Sequence, residues 1–252
     1  MNKKQFLYVA SWKMYLSLKQ AHGWVIQNKE ALKTLGNDFS IVMCPSFEAL
    51  SNIKKDLQTT DVALGAQNCS AQKAGPYTGQ VLAESLSQLG CTYCIVGHSE
   101  VRQIYNETDE MVAQKTVILL SLDITPIIYI GETGKEYDNK LIAQVIERQL
   151  NPVFDQISRN KITNKTIIIG YEPLWTKDTN NIPSTDYIIK QINFIKHLAT
   201  TKIPEMKCLV IYGGNVNEQT ISSLKRIETL DGVLIGKAST DFQSFEKIVL
   251  ST

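Results

Sequence analysis

The chain has 252 residues, with 26 Lys and Arg against 25 Asp and Glu and a formal net charge of +1. So balanced a charge argues against nucleic acid or an anionic membrane as the main partner. The length suits one α/β domain of ~250 residues, and no apolar run approaches the ~20 residues of a membrane span.

The N-terminal stretch Met1–Ala10 has a basic head, but its apolar part is too short for a signal peptide and Lys13 soon follows. The five cysteines follow no framework spacing, which fits a reducing, cytoplasmic setting. Cys91-x-x-Cys94 has no second pair to complete a zinc site and is read as core packing.

The first strand-like run is Phe6–Ala10. Ser11-Trp12-Lys13-Met14 follows it, without the glycine fingerprint of a doubly wound sheet. Further runs stand at Ser40–Cys44, Val62–Ala66, Tyr93–Gly97, Thr125–Ile130, Thr166–Tyr171, Lys207–Tyr212 and Gly232–Gly236. Their spacing, typically ~30 residues, matches a strand with its crossover helix. Thr108-Asp109 opens a helix carrying Met111, Val112 and Leu119. Leu141, Val145, Ile146 and Leu150 mark another. Pro183-Ser184 caps a third, with Tyr187, Ile188, Ile192, Phe194, Ile195 and Leu198 at helical spacing. Eight strand–helix pairs without a linker or composition break imply an α/β fold, a single closed (β/α)8 barrel over residues 1–252.

In such a barrel the reactive groups come from the C-terminal ends of strands. The run Ile167–Tyr171 ends in Glu172-Pro173, and the proline keeps Glu172 out of helical geometry. Lys13 follows the first strand, His98 and Glu100 the fourth, Gly213-Gly214-Asn215 the seventh and Gly236-Lys237 the eighth. A carboxylate, an imidazole and an ammonium would therefore share one mouth. A short helix opening at Ser99-Glu100 would keep the imidazole neutral. The glycine turns offer backbone N–H groups to a phosphate, although tight turns need glycine in any case. Each group has an ordinary structural explanation, and spacing does not name a substrate.

The stretches Trp12-Lys13-Met14, Gly65-Ala66-Gln67-Asn68, Tyr77-Thr78-Gly79, Gly97-His98-Ser99-Glu100, Glu107-Thr108-Asp109-Glu110, Gly131-Glu132-Thr133, Tyr171-Glu172-Pro173-Leu174-Trp175, Tyr212-Gly213-Gly214 and Asp231–Gly236 agree with one family in order and spacing. The chain resembles the triosephosphate isomerases nearly end to end. The resemblance implies a (β/α)8 TIM barrel that interconverts dihydroxyacetone phosphate and D-glyceraldehyde 3-phosphate through an enediol(ate), with no metal or organic cofactor. It implies Glu172 as the base, His98 as a neutral proton shuttle and Lys13 as the cation facing enediolate and phosphate. Ser11, Asp178, Gly214, Asn215, Gly236 and Lys237 would contact substrate. Glu100 would support Lys13, and Tyr212 would latch the loop after the sixth strand. A homodimer would form through the loop from Asn68 to Gly79, with Thr78 near the neighbour's site.

Several positions depart from the family's usual pattern. Ser11 stands for asparagine, Tyr129 for cysteine, Asn215 for serine and Lys237 for glycine. Thr176–Asn181 replaces a glycine-containing lid, and the carboxylate of its Asp178 would repel a phosphate dianion unless it turns outward or pairs with Lys177. Pro183 falls where, in the family, a backbone N–H would donate to the hydroxyl of Tyr212, and proline has none. The altered lid motivates a second reading: a catalytically weakened paralogue binding another phosphate metabolite or a protein. A different phosphosugar barrel enzyme would need a Schiff-base lysine or a metal cluster, and the sequence offers neither pattern.

Overall fold

A computed structural model describes residues 6–177 and 182–251. Eight parallel strands close into a barrel in the order β1 to β8. They are β1 Leu7–Ser11, β2 Ser40–Cys44, β3 Ala63–Ala66, β4 Tyr93–Val96, β5 Thr125–Ile130, β6 Thr166–Tyr171, β7 Lys207–Tyr212 and β8 Gly232–Ile235. Closure is direct: Leu7 to Ala10 of β1 pair with Gly232 to Ile235 of β8. Four strands match the sequence reading at both ends, β3, β4 and β8 differ by one residue at one end, and β1 is displaced by one residue at both. The physical cause is local. β4 stops at Val96 because Gly97 turns at φ 71°, and β8 stops because Gly236 leaves the extended region at ψ −118°.

The β-branched runs bury both faces of the sheet. One set fills the barrel interior, including Val9, Val42, Ile95, Ile127, Ile168, Ile211 and Leu234. The alternate set packs outward against the helices, including Ile128, Ile167, Ile169 and Val233. Burying one such side chain stabilises the fold by about 1.5–3 kcal/mol. Cys91 and Cys94 are buried free thiols within this packing.

The capping signals act as read. Thr108 accepts the Met111 N–H at the start of helix Asp109–Ser121, and Ser184 accepts the Tyr187 N–H at the start of helix Thr185–Lys202. The Leu141 to Leu150 periodicity belongs to helix Ile142–Arg159, whose stripe of Val145, Ile146, Leu150, Val153 and Phe154 is buried. Among the described residues no helix is long and apolar enough to cross a membrane.

Candidate active site

Side chains alternate along a strand. On β6 Ile168 points into the barrel, so Gly170 and then Glu172 follow it onto the same side. Glu172 lies one residue past the strand, 6% exposed, and its N–H donates to Ile130 O at 2.9 Å. Ser99 Oγ donates to its Oε2 at 2.9 Å. Burial pushes the carboxyl above its ordinary range. Lys177, the Ser99 bond and Lys13 oppose that shift, and Glu100 adds to it.

His98 caps the short helix Ser99–Tyr105. Gly97 before it is held from both sides. Its N–H donates to Glu107 Oε2 at 2.8 Å, and its carbonyl accepts from Arg102 Nε at 2.7 Å. Glu107 is itself bound by Lys115 in a buried ion pair. The imidazole Nδ1 accepts the Glu100 N–H at 3.2 Å. That bond leaves the ring proton on Nε2. Burial, then Lys13 and Lys177, lower the imidazole to about 4 despite Glu100, so His98 is neutral near pH 7. The 3.7 Å approach of Nδ1 to Glu100 Oε2 is accordingly no ion pair.

Lys13 follows β1 with φ 46°, a conformation costly for a residue with a Cβ. Two contacts hold it there. Gln67 Nε2 donates to Lys13 O at 2.8 Å and to Cys44 O at 3.0 Å. Trp12 Nε1 donates to Ser239 O at 3.1 Å, tying the end of β1 to the segment after β8. Lys13 Nζ donates to Glu100 Oε1 at 2.5 Å. Burial would raise the Glu100 carboxyl, but the Lys13 bond and the neighbouring positive charges outweigh it and hold the carboxyl low. A Cβ on Gly236 would lie 3.8 Å from Lys13 Cε, so the lysine stem adjoins the turn after β8.

The two glycine turns differ. The Gly213 N–H is committed to Tyr171 O at 2.9 Å, which leaves Gly214 as the group to weigh in that turn. Asn215 has φ 44°, and its Nδ2 donates to Thr176 O at 2.6 Å. The β7 turn is thereby fastened to the segment after β6. Gly236 is half-buried and Lys237 exposed. Ser11 is buried at the end of β1. The Tyr212 hydroxyl is buried without a hydrogen-bond partner among the described residues. It lies close to Thr176, whose own hydroxyl donates to Pro173 O. Asp178 lies outside the described residues. Thr78 is exposed in the loop after β3.

Sequence reasoning gave no role to several groups the fold brings here. Ser99 and Gln67 sit inside quoted motifs, so a signal existed. Lys177 was weighed only as a partner for Asp178, yet its Nζ donates to Ser99 Oγ at 2.9 Å. Buried Glu132 accepts from Tyr171, Trp175 and Tyr187 and anchors the segment after β6. A cavity of about 340 Å³ backs onto Glu172 and is lined by Arg102, Asp109, Arg148 and Gln149 among others. Its lining includes neither Lys13 nor His98, Gly214 or Gly236, so these groups and Glu172 do not share that cavity. Among the described residues no cluster of three or more His, Cys, Asp or Glu is arranged to hold a metal.

A family model described as triosephosphate isomerase matches residues 6–252. Proteins named triosephosphate isomerase are similar along nearly the whole chain. That of Endomicrobium trichonymphae is 35% identical, covering 96% of this chain and 97% of the relative. That of Aquifex aeolicus is 36% identical, covering 97% and 98%. That of Wolbachia pipientis wMel is 37% identical, covering 97% and 93%.

Proposed function

The chain belongs to the triosephosphate isomerase family, whose members are aldose–ketose isomerases of glycolysis, and from that premise we propose how its own residues carry the reaction. The observation that supports the assignment is the meeting of buried Glu172, neutral His98 and Glu100-paired Lys13 at the ends of β6, β4 and β1.

Glu172 takes a proton from the carbon beside the carbonyl of dihydroxyacetone phosphate and returns it to the neighbouring carbon, giving D-glyceraldehyde 3-phosphate. Its burial makes the carboxylate a stronger base than a solvated one. Correctly placed proton transfer of this kind contributes about 10²–10⁴-fold. His98 donates from Nε2 to the substrate oxygen and passes protons between the two oxygens. The lowered basicity of the ring keeps it neutral near pH 7, with its proton on Nε2 available for donation. Lys13 stabilises the enediolate, and oriented donors aimed at developing charge are worth roughly 10²–10³-fold each.

The substrate phosphate binds at the Gly214 and Gly236 turns, with Ser11, Asn215 and Lys237 nearby. Lys237 adds a positive charge that offsets the carboxylate of Asp178. Tyr212 lacks its usual latch because Pro183 offers no N–H. A missing neutral hydrogen bond costs about 0.5–1.5 kcal/mol, which slows closure without removing the chemistry.

The protein works as a cytoplasmic homodimer. Support comes from the loop from Asn68 to Gly79, exposed from Gln72 to Gly79, and from apolar side chains left open on the chain, notably Met14 at 94%, Tyr105 and Tyr77. Thr78 meets the neighbour's site.

A coupled assay with glyceraldehyde 3-phosphate tests the reading. Turnover well above that of Glu172→Gln is expected, and turnover no better than that variant would sink it. Sedimentation at micromolar concentration tests the dimer, for which a monomer mass is the opposing outcome.

A further inference from the structure

Ser99 carries one hydroxyl between two charges. Its oxygen accepts from Lys177 Nζ at 2.9 Å, and its proton goes to Glu172 Oε2 at 2.9 Å. A hydroxyl has one proton, so accepting from an ammonium commits that proton to the carboxylate. Ammonium, hydroxyl and carboxylate form an ordered chain, and each link is charge-assisted.

Lys177 stands on a braced turn. Its N–H donates to Leu174 O at 3.2 Å, and the Leu174 N–H donates to Glu132 O at 2.9 Å. Trp175 Nε1 bonds the Glu132 carboxylate at 2.8 Å and its ring stacks on Tyr137 at 4.1 Å. The lysine side chain therefore leaves a fixed point and reaches Ser99, 78 residues away in sequence.

Other groups face Glu172 from the surrounding elements. Lys13 comes from β1, His98 and Glu100 from the end of β4, Tyr129 from β5 and Tyr212 from β7. Lys13 is already paired with Glu100, so its field at Glu172 is partly cancelled. Lys177 acts on Glu172 more strongly than Lys13 does.

We propose that Lys177 is a positioning residue, which through Ser99 Oγ holds the Glu172 carboxylate at its buried resting place. The inference rests on Glu172 being the base. Its physical content is a through-hydroxyl linkage: removing either the ammonium or the hydroxyl releases the same carboxylate.

The test is a ¹³C NMR titration of the Glu172 carboxyl in the intact protein, its resonance identified by loss in Glu172→Gln. Lys177 is exposed, so Lys177→Met keeps the fold. Its Glu172 midpoint is expected to rise by roughly half a pH unit or more, since a stabilising cation is lost. Ser99→Ala should raise it similarly, and the double variant should rise no further than the single ones. Lys177→Arg should restore the wild-type midpoint. An unmoved midpoint in Lys177→Met, or additive shifts in the double variant, overturns the proposal. Activity of Glu172→Gln separates the two levels. Wild-type turnover there removes the base assignment, whereas lost turnover with an unmoved midpoint in Lys177→Met removes this inference alone.

Discussion

A methyl group on Gly170 would stand 3.0 Å from Cε2 of Tyr129. Tyr129 is 1% exposed and lies in the barrel interior. A Cβ on Gly213 would crowd its other edge at the same distance. The tyrosine that departs from the family's usual cysteine thus has its room from two glycines on β6 and just past β7. Its ring also lies 4.8 Å from that of His98, so this packing sets the floor beneath the imidazole.

Gly170→Ala should destabilise the protein by about 1–3 kcal/mol, the usual cost of overpacking a filled core. Tyr129→Ala leaves space beside that methyl, so the two substitutions should couple favourably in urea unfolding. Strictly additive losses would show that the ring and Gly170 do not share one space.

Glu172→Gln should lower kcat by about 10²–10⁴-fold and at the same time raise stability near pH 7. Burial raises the folded carboxyl above its unfolded value. Between those two values the unfolded chain is ionised while the folded one is not, so stability falls as pH rises through that window. Above it the buried charge is a standing cost, and glutamine removes it. Thermal unfolding at pH 7 checks the sign: a lower Tm for Glu172→Gln contradicts it.

His98 titrates at about 4 when folded against 6.5 as a free group. Above 6.5 both states are neutral there and nothing is lost. As pH falls below 6.5 the unfolded chain takes up a proton that the folded chain does not, and stability declines by roughly 3 kcal/mol by pH 4. His98→Gln should lose that part of the acid sensitivity. Urea midpoints at neutral and acid pH measure it, and parallel pH profiles for the two proteins would refute it.

If the Tyr212 latch proposed above operates, Pro183→Ala supplies the backbone N–H it needs; the Tyr212 hydroxyl has no partner among the described residues. One recovered hydrogen bond is worth about 0.5–1.5 kcal/mol, or up to roughly tenfold in the population of a closed state. Steady-state kinetics should show a higher kcat or a lower KM for Pro183→Ala. The gain should vanish in a Tyr212→Phe background. An unchanged pair of constants would dismiss the latch.

The fold was legible because its signals are local. Alternating or continuous apolar runs such as Thr125–Ile130, and caps such as Thr108 and Ser184, specify an element within a few residues of themselves. The placement of Lys13, His98 and Glu172 was legible for a related reason. A group at the end of a barrel strand has little choice of direction, since strand parity carries Glu172 to the interior side with Ile168. The sequence by itself therefore determined eight strands and the mouth to which Lys13, His98 and Glu172 belong. Only the closed barrel decided what each of them touches. Ser99 meets Glu172 across 73 residues of sequence, and Gln67 braces the Lys13 backbone across 54. Gly170 makes room for Tyr129, and Lys177 turns to Ser99. Those contacts depend on distances between strands that are set when all eight pair. No short-range pattern encodes them, because neither partner's own segment changes its propensity when the other is absent.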